Sequence, residues 1–220
     1  MKVIFWGTQG SLPATVNAQT VREKVFLALQ AAQGVSLDSE ADIHAFIEEE
    51  LPFAIRGTYG TNTACVELET ETDEKLILDA GSGLRDLGRK VVAEGKAKVP
   101  TTYHIVMTHL HWDHLQGFPF FVPAYIAGNK IVFHTYHDET EAAFRQQMSG
   151  KLFPIPFESL AAEITFEVRK PETPFALAGY QITSRTQNHP GISYGYRLEK
   201  GGKAVVYSTD SEHKHEAYED

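Results

Sequence analysis

The sequence predicts an α/β (α+β) protein in which two mixed β-sheets pack together with helices outside. Three observations predict it. Short apolar, β-branched runs alternate with helical stretches along the 220 residues. Hairpin-like strand pairs occur in both halves, and the turn Glu199-Lys200-Gly201-Gly202-Lys203 joins the last two strands. No internal repeat, low-complexity tract or flexible linker interrupts the pattern, so residues 1 to 220 read as a single domain with a helical insertion at about 17 to 55.

Each element has its own signal. Val3-Ile4-Phe5-Trp6 is a strand ended by the turn-prone Gly7-Thr8-Gln9-Gly10. Residues 18 to 33 form a helix with Val21, Val25, Leu29 and Ala32 on one face and Gly34 at its end. Asp38 or Ser39 caps a second helix that runs through Glu50, and Pro52 closes the segment. Strands resume at 63 to 69 and 75 to 79, and Asp79-Ala80-Gly81-Ser82-Gly83 turns the chain into a helix over 84 to 94. Tyr103-His104-Ile105-Val106-Met107 is a buried strand, followed by a strand at 131 to 135 and a helix at 139 to 148. Strands near 163 to 168, 180 to 187, 192 to 198 and 203 to 208 complete the order.

Composition narrows the function. With 42% hydrophobic residues the chain can bury one sizeable core. The net charge of −9 argues against an affinity for nucleic acid or an anionic membrane. Cys65 is the single cysteine, so no internal disulfide forms, and its alternating surroundings mark it as a small buried hydrophobe. No secretory signal pattern and no run of 18 apolar residues is visible, which reads as a soluble, cytoplasmic chain.

The chemistry lies in His109-Leu110-His111-Trp112-Asp113-His114, three imidazoles and a carboxylate within six residues. Borderline-soft divalent metals take this ligand mixture. In an extended segment His109 and His111 point the same way and can reach one ion, while Asp113 and His114 follow a bend and can reach a second. His189, in the turn Gln187-Asn188-His189-Pro190-Gly191, and Asp210, ending Val205-Val206-Tyr207-Ser208-Thr209-Asp210, are the further candidate ligands. All of these groups sit at strand ends, as a cleft on a sheet scaffold requires.

These residues resemble the metallo-β-lactamase superfamily, above all its ribonuclease Z and cyclic-phosphodiesterase branch. The likeness is carried by Thr108 through His114 with Gly117, by His189 with Gly195-Tyr196-Arg197, and by Tyr207-Ser208-Thr209-Asp210. Phe5-Trp6-Gly7-Thr8 and Leu78-Asp79-Ala80-Gly81 add to it. It spans almost the whole chain apart from the insertion, and implies a four-layer αββα sandwich with two divalent metal ions, zinc first, with manganese or iron as alternatives. His109, His111 and His189 would hold the first ion, Asp113 and His114 the second, and Asp210 would bridge them, with Asp113 also the catalytic candidate. A water between the ions would be activated as hydroxide to attack phosphorus or a carbonyl carbon. The resemblance makes Asp79 a support of the metal cleft, against the plainer reading of a turn aspartate; Asn62, in Thr61-Asn62-Thr63 after Gly57 and Gly60, reads as lining the substrate pocket or as part of a plain polar turn. It also implies a last histidine after a further strand, so the C-terminal part is expected to be incomplete. His213 and His215 lie in a charged run and read as solvated surface.

The function expected first is a phosphodiesterase acting on a cyclic nucleotide or another small phosphodiester. The acidic insertion disfavours a nucleic-acid partner, because a phosphate-gripping arm needs Lys and Arg. The alternatives are a thioesterase or lactonase of the glyoxalase II type and a non-catalytic ligand-binding member of the fold. β-Lactam hydrolysis is disfavoured by Asp210, where those enzymes usually carry Cys, and diiron redox chemistry by His111, where those relatives usually carry Glu. The insertion could serve a homodimer interface. Of the other histidines, His44 reads as exposed and His104 as a satisfied core or interface residue. His134 and His137 read as structural rather than substrate-facing. Phe118-Pro119-Phe120-Phe121-Val122-Pro123 reads as core packing beside the metal loop.

Overall fold

The computed structural model describes residues 1–58 and 60–212. Six strands form the first sheet: β1 (Val3–Gly7), β2 (Cys65–Leu68), β3 (Lys75–Leu78), β4 (Thr102–Val106), β5 (Lys130–Thr135) and β6 (Glu163–Val168), in that spatial order. β1, β2 and β3 pair antiparallel, while β3 through β6 run parallel. The second sheet has four antiparallel strands, β7 (Phe175–Leu177), β8 (Tyr180–Gln187), β9 (Ser193–Lys200) and β10 (Lys203–Tyr207), in the order β10-β9-β8-β7. The sequence reading missed β7, because three residues are too few for a period-2 pattern to register.

The central strands are near-continuous apolar runs because both of their faces are covered. On one face Ile77, Ile105, Ile131 and Phe133 pack with Leu84, Leu87 and Val91 of helix α4 (Gly83–Ala93) and Phe144 of helix α5 (Thr140–Gln147). On the other, Leu76, Leu78 and Val106 meet Tyr180, Ile182, Tyr196 and Leu198 of the second sheet. Alternation along β3 (Leu76 and Leu78 one way, Ile77 the other) builds both cores from one strand. This is an αββα sandwich, with the helical layer α4/α5 and both sheets among the described residues. Cys65 is fully buried, and burial pushes its thiol well above its ordinary value, as a packed and unreactive group requires. Phe118 and Phe121 are core residues, with Phe118 edge-on to Phe133 and Phe144.

Between β1 and β2 lie the helices α1 (Ala18–Ala31), α2 (Glu40–Ala45), a π-helical turn (Phe46–Glu50) and α3 (Phe53–Arg56). Asn17 caps α1, and Ser39 with Asp42 forms a reciprocal capping box on α2. The second helical run ends at Glu50, with Leu51 extended before Pro52 as the sequence indicates, and Pro52 in turn is the N-cap of α3. The apolar face of α1 is turned outward, with Val21 48% and Leu29 67% exposed. The helix docks by the neighbouring side, where Lys24 and Ala28 are half-buried and the Lys24 ammonium donates to the carbonyls of Ala54 and Gly57 at the end of α3. No helix among the described residues is long and apolar enough to cross a membrane.

Candidate metal centre

The strand β4 delivers the histidine cluster. Beyond Val106 the chain is caught by Asp79, whose Oδ1 accepts the Thr108 N–H at 2.8 Å. His111 then precedes a 3-10 turn, Trp112–His114, which reverses direction and buries Asp113 and His114. The turn is pinned to the segment after β3: the Ala80 N–H donates to the His114 carbonyl and the Gly117 N–H to the Ala80 carbonyl, both at 2.9 Å. Gly117 is required there, since a Cβ would lie 1.9 Å from the Gly81 carbonyl oxygen.

His189 enters from the β8–β9 loop, tightened by left-handed Gly191 (φ +81°) and Ile192 (φ +62°). Asp210 follows β10 directly. The Glu212 N–H bonds to the Asn188 carbonyl and the Asn188 side-chain amide to the Glu212 carbonyl, which lashes the Asp210 segment beside His189.

These parts converge in two groups. His109, His111, His189 and Asp210 each bring one ligand atom within 4.8 Å of the others, and so do Asp113, His114 and Asp210. Asp210 belongs to both and uses a different oxygen for each. Its Oδ2 is 3.8 Å from His109 Nε2 and from His189 Nε2, and its Oδ1 is 3.6 Å from His114 Nε2. His189 Nε2 lies 2.9 Å from His111 Nδ1, and Asp113 Oδ2 lies 3.5 Å from His114 Nε2.

The donor set fits divalent metal. His109 Nε2 and His114 Nε2 are buried and have no hydrogen-bond partner among the described residues, although buried ring nitrogens are costly to leave unpaired. Both lone pairs face the other ligands. The opposite nitrogens are engaged: His109 Nδ1 with Thr108 Oγ1 at 3.0 Å, and His114 Nδ1 with Asp79 Oδ2 at 2.9 Å. This is the outer-ligand pattern that fixes the tautomer and aim of metal-binding histidines. Imidazole with carboxylate suits zinc, manganese and iron.

Asp79 anchors the arrangement. It is fully buried at φ +60°, and its carboxylate accepts from the Thr108 N–H and hydroxyl, the His114 ring and, from the second sheet, the Tyr207 hydroxyl at 3.0 Å. The two neighbouring imidazoles respond in opposite directions. Burial, reinforced by His114, pushes His109 down to about 4. Burial also disfavours a charged His114, but Asp79 in direct contact, with Asp113 and Asp210, outweighs it and raises this ring to about 8. Asp113 accepts the Ser11 N–H at 2.8 Å, a contact made by left-handed Ser11 (φ +58°) after Gly10.

The remaining candidates fall outside the ligand set. The Asn62 amide donates to Asp86 at 2.6 Å and to the Trp6 carbonyl at 3.3 Å and accepts from the Ser82 hydroxyl, so it ties the end of β1 to the start of α4. His44 is exposed. His104 and His134 face each other at 3.0 Å between the sheets, with Arg169 on the far nitrogen of His134. His137 packs against Tyr194 behind the ligand loop. His213 and His215 lie outside the described residues. Sequence reasoning passed over Ser11, Thr108 and Tyr207 as individual contributors. The turn signal Gly10-Ser11 and the polar residue directly before His109 were the available signals for the first two.

A cleft of about 410 Å³ opens beside His114 and Asp210, with Phe5, Thr8, Gln9, Ser208 and Thr209 among its lining residues.

Comparison with known proteins bears on the family and the fold. Over 115 residues the chain is 29% identical to ribonuclease BN of Enterobacter sp. (strain 638), a match that covers 47% of this chain and 35% of that one. Among solved structures, the metallo-β-lactamase fold protein YhfI from Bacillus subtilis superposes with a TM-score of 0.52 at 19% identity, covering 72% of this chain and 58% of that one. The short form of human tRNase Z superposes with a TM-score of 0.50 at 16% identity, covering 94% and 68%. The chain thus spans about a third of the ribonuclease and just over half of YhfI. The family model described as the β-lactamase superfamily domain matches residues 74–220, which hold β3 to β10 and every candidate ligand, and the chain belongs to that superfamily.

Proposed function

We propose that this chain is a metal-dependent hydrolase that cleaves a small phosphodiester such as a cyclic nucleotide. The observation that carries the reading is Asp210, whose two oxygens face separate ligand groups, the geometry of a carboxylate shared by two cations. The first ion falls to His109, His111 and His189, the second to Asp113 and His114, and Asp210 is common to both. When bound, two divalent cations supply charge stabilisation for phosphoryl and leaving oxygens and lower the pKa of a water.

The chain's own residues do the rest. Asp79 accepts a hydrogen bond from the His114 Nδ1–H and the Thr108 hydroxyl oxygen accepts one from the His109 Nδ1–H, so each Nε2 presents its lone pair inward. The Ser11 N–H fixes Asp113, the carboxylate assigned to orient water and accept its proton. The polar lip of Thr8, Gln9, Ser208 and Thr209 offers hydrogen bonds to an ester group, and the cleft has the volume of a small-ligand site. The likeness to a ribonuclease supports a phosphodiester over a carboxylic ester. The acidic segment before β2 supports a small substrate over a long nucleic acid.

The test is a parallel assay of the Zn²⁺- and Mn²⁺-supplemented protein on bis-p-nitrophenyl phosphate and on a thioester. Phosphodiester turnover that falls at least about 100-fold in His111→Ala is expected, on the scale of a lost metal function. Thioester turnover alone would transfer the site to carboxylic hydrolysis, and two bound ions without either activity would make it a binding protein.

A further inference from the structure

Three tyrosines of the second sheet reach across the interior and bond to the first. The Tyr180 hydroxyl donates to the Glu69 carbonyl and the Tyr196 hydroxyl to the Met107 carbonyl, each at 2.6 Å, and the Tyr207 hydroxyl donates to Asp79 Oδ2 at 3.0 Å. Their positions differ in consequence. Tyr180 holds a main-chain oxygen just past β2, far along the sheet from the ligands. Tyr207 holds the carboxylate that also holds His114. The other partners of Asp79, Thr108 and His114, belong to the same stretch of chain as the ligand loop. Tyr207 alone among them comes from the opposite sheet, and it lies three residues before Asp210 on the same strand exit.

We propose that the Tyr207 hydroxyl is a positioning group for the second ion's subsite. Through Asp79 it sets the aim of His114, and through β10 it sets where the shared Asp210 carboxylate meets that ring. The inference rests on the metal-centre reading above.

The physical argument is one of shared acceptors. Asp79 Oδ2 receives three donors in a buried setting, the Thr108 hydroxyl and the His114 ring from the ligand-loop stretch and the Tyr207 hydroxyl from the second sheet, and the His114 ring it holds lies 3.6 Å from Asp210. Remove the Tyr207 O–H and that oxygen keeps the Thr108 and His114 donors but loses the one that ties it to the second sheet. Asp79 and His114 can then turn together while β10 loses its tie. Burial, with the Asp79 charge second, pushes the Tyr207 phenol well above its ordinary range, so the group remains a donor throughout neutral pH. Of the first ion's ligands, His111 and His189 make no bond to Asp79 among the described residues, His109 reaches it only through the Thr108 hydroxyl, and Asp210 is shared with the second ion.

The experiment compares wild type, Tyr207→Phe and Tyr180→Phe, each freed of metal and titrated calorimetrically with Zn²⁺, then with Co²⁺ for the visible spectrum of each ion. Tyr207→Phe keeps the ring and loses only the hydroxyl. It is expected to weaken the second Zn²⁺ about tenfold or more, the usual effect of removing an outer-ligand partner. The first ion is retained, which shows the variant to be folded, and the Co²⁺ bands of the second site shift. Tyr180→Phe, an equivalent cross-sheet bond remote from the site, leaves both affinities unchanged. Wild-type affinity for both ions in Tyr207→Phe, equal loss of both ions, or the same selective loss in Tyr180→Phe would each overturn the proposal. A wild-type chain that takes up no Zn²⁺ overturns the metal-centre reading itself, so the two failures are told apart by the first curve.

Discussion

Asp79 occupies a left-handed backbone conformation that costs a non-glycine residue on the order of 1 kcal/mol. The cost is offset by the donors its carboxylate collects, among them Thr108 and His114. Asparagine tolerates the same backbone and nearly the same volume, but puts an N–H₂ where one oxygen must accept. Asp79→Asn is therefore expected to fold and to lose roughly 10- to 100-fold in Zn²⁺ affinity, read by calorimetry. Unchanged affinity would remove Asp79 from the support of His114. At this scale the six-residue histidine cluster was legible because its ligands are neighbours in sequence. His189 and Asp210 were legible as polar residues at strand ends and through the family resemblance. Tyr207 was not, since its bond to Asp79 joins residues 128 positions apart, and no local pattern encodes such a contact.

Among the elements, the metal loop and the turn after β3 form one unit held by close backbone approach. A Cβ at Gly117 would meet the Gly81 carbonyl, and one at Gly81 the Asp113 carbonyl at 2.5 Å. Gly117→Ala must push the 3-10 turn away from its support. The expected cost is about 3 kcal/mol of stability, at the upper end of overpacking effects, with metal uptake impaired at temperatures where the protein is still folded. Urea denaturation and metal titration check both, and a neutral Gly117→Ala would mean that the loop is not so pinned. Strands with both faces covered were easily read, because apolar continuity survives without alternation. The orientation of α1 was not: period 3.6 identifies an apolar face but not which side meets the protein. Here a half-buried lysine, Lys24, supplies docking bonds from beside that face.

For the molecule as a whole, the polar strip between the sheets sets a pH limit. His134 is buried, and burial, followed by the Arg169 charge and His104, pushes it down to about 3. Its folded pKa is below the unfolded value of about 6.5, so the unfolded chain binds a proton that the native one refuses. This contribution is fully present above pH 6.5 and is lost as pH falls toward 3, at up to about 1.4 kcal/mol per pH unit. Stability measured between pH 6.5 and 4.5 should fall less steeply in His134→Gln than in wild type; parallel slopes would exclude His134 as a source. The placement of the ligands has its own consequence at this scale. His109 and Asp210 lie about a hundred residues apart and on different sheets. An ion held by both closes that long loop, as a covalent cross-link would. Zn²⁺ at a hundred times its Kd should add about 2.7 kcal/mol to the unfolding free energy, seen as a rise in Tm that Asp210→Ala abolishes. Cys65, buried and alone, can form no internal disulfide. With an ion bound, the long-range staple would be ionic and removable by a chelator, so the proposed metal site would also serve as a mechanical joint between the sheets.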